Sequence, residues 1–371
     1  MISTLTSSSF LERLPDDILI CVIENEILEL RNICYLSCSS SFLRERLKYT
    51  SYKNPRRPYF SINDDDDDDD NNNGGRYKPK RVQFSIDENP DFRDVCGKEL
   101  CTMITSLCEK YHHIFRFDIT LYNSTFSECF QFRHMHTIHL SNCPIITDIS
   151  MLGNAHTLII DSCQSVKDVS SLGSVHTLKL YNCEGISDVS HLQYVLDITF
   201  SKCSSITDVS NLGSVHNLTF YNCHGITDVS ALGCVHNLTL YGCGGITDFS
   251  NLGTVHTLFI GCCHQFTDTS NLGSVHKLTL YGCDGIKDVS NLGTVHTLFI
   301  IDCPQITDVS NLGSVHILKL SNCGGITDVS NLGSVHNLTL DCCSGISGRY
   351  ISDISALKSV PVLTCIQPDL K

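Results

Sequence analysis

Cysteine, histidine and aspartate are the residues of this 371-residue chain whose types and spacing could do chemistry. Eleven cysteines recur every 20 residues, at Cys143, Cys163, Cys183, Cys203, Cys223, Cys243, Cys263, Cys283, Cys303, Cys323 and Cys343. Each interval is numbered from the apolar residue that stands eight places before its cysteine. Ten of the eleven then carry His at position 2, from His136 to His336, with Leu196 the exception. Ten carry Asp at position 14 and ten carry Ser at position 16, as in Asp188 and Ser190 or Asp308 and Ser310. Three chemistries suit such a set: a thiol activated by imidazole, a zinc site of Cys and His, or a calcium site of Asp and Gly.

Each has a plainer reading. Zinc needs ligands that converge tetrahedrally on one point, whereas a ladder projects its side chains in parallel, and Leu196 replaces one histidine without disturbing its unit. Stacked edge residues that bond backbone at a strand entry account for the histidines, and no metal or other cofactor is expected. Eleven copies of a nucleophile make little sense, and a buried cysteine is a small apolar residue with a weak S–H donor, so no catalytic residue and no enzyme are expected. Short polar side chains at positions 14 and 16 accept hydrogen bonds from backbone amides where a turn begins. Glycine at position 19, as in Gly173 and Gly253, is expected to supply a positive φ at the return turn.

The element that positions these residues is read from two typical units, VHTLKLYNCEGISDVSHLQY from Val175 and VHNLTLYGCGGITDFSNLGT from Val235. Apolar residues fill positions 1, 4, 6, 12, 15 and 18. The alternation of Leu178 and Leu180, or Leu278 and Leu280, is the period of a short strand with one buried face. One such strand cannot bury its face alone, so successive units stack into a parallel sheet over a continuous core. About ten residues cross the back of each unit, too few for two turns of α-helix with connections, which predicts a 3₁₀ or extended segment and a gentle arc.

The template resembles the leucine-rich repeat LxxLxLxxCxxL, with Val175, Leu178, Leu180, Cys183 and Ile186 in its slots, in the cysteine-containing form. The resemblance implies an α/β-type repeat fold, a solenoid with its parallel sheet on the concave face. Ile114 to Phe126 and Ser355 to Cys365 read as capping units, the second set off by a five-residue insertion near Arg349. Inward positions hardly change between units, whereas positions 3, 5 and 7 vary, as recognition requires. The candidate binding strip is Lys179, Tyr181, Tyr221, Tyr241, Phe259, Tyr281, Phe299, Ile301 and Lys319, suited to an unidentified protein partner.

Composition excludes other classes. Half of the net charge of −14 comes from the seven aspartates Asp64 to Asp70, and the repeats offer only scattered lysines, so nucleic-acid binding is not expected. No basic n-region precedes an apolar stretch at the start, and no apolar run approaches the roughly 18 residues of a membrane span. A soluble cytoplasmic protein with reduced thiols is expected. Arg76 to Arg81 also has the composition of a nuclear import signal, although a few solvated cations beside seven aspartates need no function.

Residues 12–49 lack the 20-residue period and read as helices. Leu14-Pro15-Asp16-Asp17 is a start signal, and Ile18, Leu19, Val22 and Ile23, then Leu30, Ile33 and Leu36, form an apolar stripe. So short a module must bury its stripe against something else. LPDDIL, LRNICYLSC and SFLRERL resemble, in order and spacing, an F-box, with Phe42 where Trp is frequent and an unusually acidic ENEILE between. The family implies that Leu14, Pro15, Ile18, Leu19, Leu30, Ile33 and Leu36 dock on a Skp-type adaptor of a cullin ligase. The combination of F-box, Asn- and Asp-rich linker and near-identical repeats is similar to arrays found in giant viruses and some protists.

The expected organisation is an F-box-like module at 10–50, a disordered linker at 51–82, a helical bridge and capping repeat at 83–134, eleven repeats at 135–354 and a capping repeat with tail at 355–371. The function this implies is a substrate receptor of an SCF-like ubiquitin ligase. The rival is a stand-alone interaction scaffold with no ligase connection.

Overall fold

The computed structural model describes residues 59–63, 81–87, 116–123, 134–341 and 354–366, with Thr105, Ser106, Cys108, Glu109, Phe132 and Ile351 besides. The residues expected to dock an adaptor, Leu14 to Leu36, therefore lie outside the described residues. The chain divides into two units, Met1–Ser165 and Val166–Lys371.

In the first unit, β1 (Tyr59–Asn63) pairs antiparallel with β2 (Arg81–Asp87). Parallel pairing then joins β2 to β3 (Arg116–Tyr122), β3 to β4 (Thr137–Ser141) and β4 to β5 (Thr157–Asp161). Two of these strands fall in stretches that the sequence reading gives to a linker, 51–82, and to a bridge and capping repeat, 83–134. Val82, Phe84 and Ile86 alternate as a strand does, but carry no 20-residue period to announce it. Phe84 and Phe117 are both fully buried, their rings stacked 6.1 Å apart. The stretch expected to be the cap thus holds β3 as an inner strand, with β2 and β1 extending the sheet past it.

The second unit holds β6 (Thr177–Tyr181), β7 (Asp197–Ser201), β8 (Asn217–Tyr221), β9 (Asn237–Tyr241) and β10 (Thr257–Gly261). These are followed by β11 (Lys277–Tyr281), β12 (Thr297–Ile301), β13 (Ile317–Ser321), β14 (Asn337–Asp341) and β15 (Val362–Ile366). Neighbours pair in parallel, each residue beside the one 20 places on, so equivalent side chains form columns. Asn337 meets Val362 across the insertion. Positions 1, 4, 6, 9, 12, 15 and 18 all point inward: in the unit from Val235, Val235, Leu238, Leu240, Cys243, Ile246, Phe249 and Leu252 are each at most 3% exposed.

The back segments are 3₁₀ turns such as Ser210–Ser214 and Ser230–Cys234, as the short spacing predicts. Leu232 N–H donates to Val229 O at 2.9 Å and Val235 N–H to Leu232 O at 3.1 Å, which closes the turn and returns the chain to the sheet. This is the leucine-rich-repeat architecture that the template resembles. The final unit differs: Leu363, in the core column, is 37% exposed.

Candidate recognition face

The ladders are the first features that geometry interprets. His216, His236, His256, His276, His296, His316 and His336 stack ring on ring with centroids 4.4–4.8 Å apart. Their Nδ1 atoms reach the adjacent threonine hydroxyl where there is one, at 3.3 Å for His256 and 3.1 Å for His296. Burial, and then the neighbouring rings, hold the His256 and His296 imidazoles below their ordinary range.

Each described position-9 thiol is fully buried and reduced. Cys203 Sγ donates to Leu180 O at 3.4 Å and Cys323 Sγ to Ile300 O at 3.5 Å, so the column ties each unit to the strand before it. Desolvation pushes the Cys203 thiol up to about 11 and that of Cys243 to about 12. At these two positions the thiolate that would react is suppressed, whereas hydrogen bonds from Cys143 and Cys283 lower the Cys163 and Cys303 thiols. Among the described residues the exposed thiol is Cys234 at position 20, ahead of the half-buried Cys262.

The aspartates cap turns. Ser190 N–H donates to Asp188 Oδ1 at 2.9 Å and Ser230 N–H to Asp228 Oδ1 at 2.8 Å. The serine is the first residue of the 3₁₀ turn rather than a second cap. Positive φ falls at position 8 instead of at the position-19 glycines: Asn182 at 52°, Asn222 at 54°, Gly242 at 65° and Gly282 at 59°. Where position 19 is glycine, space is the constraint, since a Cβ on Gly173 would come within 2.7 Å of His191 O; Gln193 fills it in the unit from Val175, whose 3₁₀ turn is shortened to Ser190–Leu192.

What remains is the outward face of the strands. Lys179, Phe259, Phe299 and Lys319 stand in the position-5 column, and Tyr181, Tyr221, Tyr241, Tyr281 and Ile301 in the position-7 column. Four of the aromatic ones, Tyr221, Tyr241, Phe259 and Tyr281, form a connected patch. Tyr221 and Tyr241 stack 4.5 Å apart with planes within 3°. Tyr241 also meets Phe259 at 6.4 Å and Tyr281 at 6.3 Å.

The second of these contacts spans two strand spacings and depends on Gly261 between them. A Cβ there would meet Phe259 Cε1 at 2.6 Å and Tyr241 Cδ2 at 2.8 Å. Lys277 Nζ lies 5.9 Å from the Phe299 centroid, a cation–π contact. Asp302 beside Tyr281 pushes its phenol up by charge, and a hydrogen bond with Cys262 does the same to Tyr241. Gly261, Cys262, Lys277 and Asp302 are absent from the strip read from sequence. Gly261 was legible as a break in a tyrosine column; the others act across strands.

No protein-family model and no curated protein matches this chain. Among solved structures it is similar to a leucine-rich-repeat protein of Leptospira interrogans, at 12% identity, covering 76% of this chain and 89% of that one with a TM-score of 0.36. It is also similar to the functional domain of InlJ from Listeria monocytogenes, which includes a cysteine ladder, at 17% identity, covering 63% and 69% with a TM-score of 0.29.

Proposed function

We propose that the chain is a non-catalytic protein-binding scaffold whose partner docks on the outward face of the strands. The observation that supports this is the contrast between columns: inward side chains repeat almost unchanged, while the outward face carries a connected run of solvent-facing rings between Tyr221 and Tyr281. Rings left open to water are costly unless covered, and Tyr and Phe are the side chains that anchor protein interfaces. Replacing Tyr241, Phe259 and Tyr281 together with Ser should abolish cross-linking to the partner while melting within a few degrees of the parent. A large drop in melting temperature would assign these rings to packing and remove the face.

The resemblance of residues 12–49 to an F-box favours a finer version. In it, Leu14, Pro15, Ile18, Leu19, Leu30, Ile33 and Leu36 hold a Skp-type adaptor, the strand face holds the substrate and a cullin ligase supplies the chemistry. The full chain should then bind purified adaptor, and Leu14→Ala with Pro15→Ala should lower affinity at least tenfold. Equal binding by the double variant, or none by the parent, leaves the scaffold without a ligase.

A further inference from the structure

The unit that begins at Val195 breaks the template where its strand faces outward. Ser201 replaces the tyrosine found at Tyr181, Tyr221, Tyr241 and Tyr281, and Lys202 replaces the Asn of the flanking units. Lys202 sits at φ 55°, between Asn182 at 52° and Asn222 at 54°. That conformation costs a residue with a Cβ about 1–2 kcal/mol and is easiest for Asn and Gly. Ser162, Cys262 and Asp302 hold the same conformation, so the turn admits Lys202 without calling for it.

The ring stack fixes what lies beside it. Tyr221 and Tyr241 are parallel on neighbouring strands, so their ring normals run across the sheet and the second face of Tyr221 looks over β7. Register places Ser201 directly beside Tyr221 and Tyr181 on its far side. Two strand spacings, about 9.6 Å, separate the backbones that carry Tyr181 and Tyr221. With both rings upright on their strands, a ring midway would lie about 4.8 Å from each, within the 4.5–7 Å of stacked aromatics.

The matching gap across Gly261 is closed by its own rings, with Tyr241 and Tyr281 at 6.3 Å. Ser201 has the Cβ that Gly261 lacks, and Tyr221, at 40%, is the most exposed ring of the strand face among the described residues. Two cations rim the gap. Lys179 precedes Tyr181 by two residues on the same face and Lys202 follows Ser201. Neither lies within ion-pair distance of a carboxylate among the described residues. Asp197, at the other end of β7, stands about 13 Å from Ser201 and about 8 Å from Lys179 along the diagonal.

We propose that Tyr181, Ser201 and Tyr221 form a slot for one aromatic side chain of a partner protein, and that Lys179 and Lys202 select a segment in which that side chain has acidic neighbours. This rests on the recognition-face reading and names the chemistry of its partner. The chain contains no tryptophan, so a tryptophan peptide reports its own binding by fluorescence anisotropy. The probes are Glu-Glu-Trp-Glu-Glu and Lys-Lys-Trp-Lys-Lys with the full chain.

The acidic peptide should bind saturably and at least tenfold more tightly than the basic one. Ser201→Tyr should abolish its binding by filling the slot, and Lys202→Asn should weaken it about fivefold and flatten its salt dependence. Both substitutions restore residues that neighbouring units carry at those positions, so melting should hold. Equal binding of the two peptides, no binding of the acidic one, or undiminished binding by Ser201→Tyr would overturn the slot. Should partner cross-linking still be lost in the Tyr241, Phe259 and Tyr281 variant, the wider face survives that failure.

Discussion

Glycine serves this chain in two ways that a sequence cannot tell apart. At position 8 the chain leaves its strand in a left-handed conformation, which Asn supplies in several units and Gly in two, Gly242 and Gly282. At position 19 the φ is ordinary and the constraint is contact between successive back turns: a Cβ on Gly233 would stand 2.5 Å from Asn251 O and 3.0 Å from Thr254 Oγ1. The two roles separate on substitution. Gly233→Ala should destabilise by about 1–3 kcal/mol, because a backbone carbonyl can yield only by moving its whole unit. Gly282→Asn should be nearly neutral, since its Cβ meets nothing closer than Cys262 Sγ at 3.3 Å and Asn adopts that φ in other units. Urea unfolding of the two variants decides between them, and an equal cost would mean that backbone freedom, not space, fixes position 19.

The strand and its 3₁₀ back were legible because both are local. A two-residue alternation and a ten-residue return leave little choice of element, and Asp at position 14 signals the turn. β1 and β2 were not legible, since a strand that joins a sheet from outside the repeat has no period to betray it. The strip was legible by column but not by contact: Tyr241 and Tyr281 touch only because Gly261 intervenes, and Lys277 reaches Phe299 from the next strand.

Turn capping gives the prediction at this scale. Asp228 Oδ1 accepts from Ser230 N–H at 2.8 Å, and hydrogen bonds from the Ser230 hydroxyl and backbone hold its carboxyl below the usual range. Asp228→Ala leaves the first N–H of the 3₁₀ turn without its acceptor, whereas Asp228→Asn keeps an oxygen in place. The alanine variant should therefore melt below the asparagine variant. The reverse order would make charge rather than the acceptor the source of stability.

Across the whole molecule the repeats convert single-residue chemistry into pH dependence. In the second unit seven imidazoles stand in one stack, each within 4.8 Å of the next, so a proton on one ring opposes a proton on its neighbours. Desolvation adds to this, and His256 and His296 are held below their ordinary value in the folded chain. The unfolded chain, whose histidines titrate near about 6.5, then binds more protons than the folded one as pH falls through that value. Stability is complete above pH 6.5 or so, declines below it, and the loss from these rings is finished once pH passes their folded pKa.

The turn aspartates have the same sign in a lower window. Their depressed carboxyls contribute stability above about pH 3.9, which is lost only as pH falls through their folded values. A comparison between pH 7.5 and pH 5 therefore isolates the histidines. Leu196 already occupies a ladder position, so His256→Leu with His296→Leu is tolerable by precedent and removes two stacked rings held below their ordinary value. The parent should melt at a lower temperature at pH 5 than at pH 7.5, and the double variant should lose clearly less over the same interval. Melting temperatures that fall equally in both proteins would show that the stack carries no charge penalty and that acid acts elsewhere in the chain.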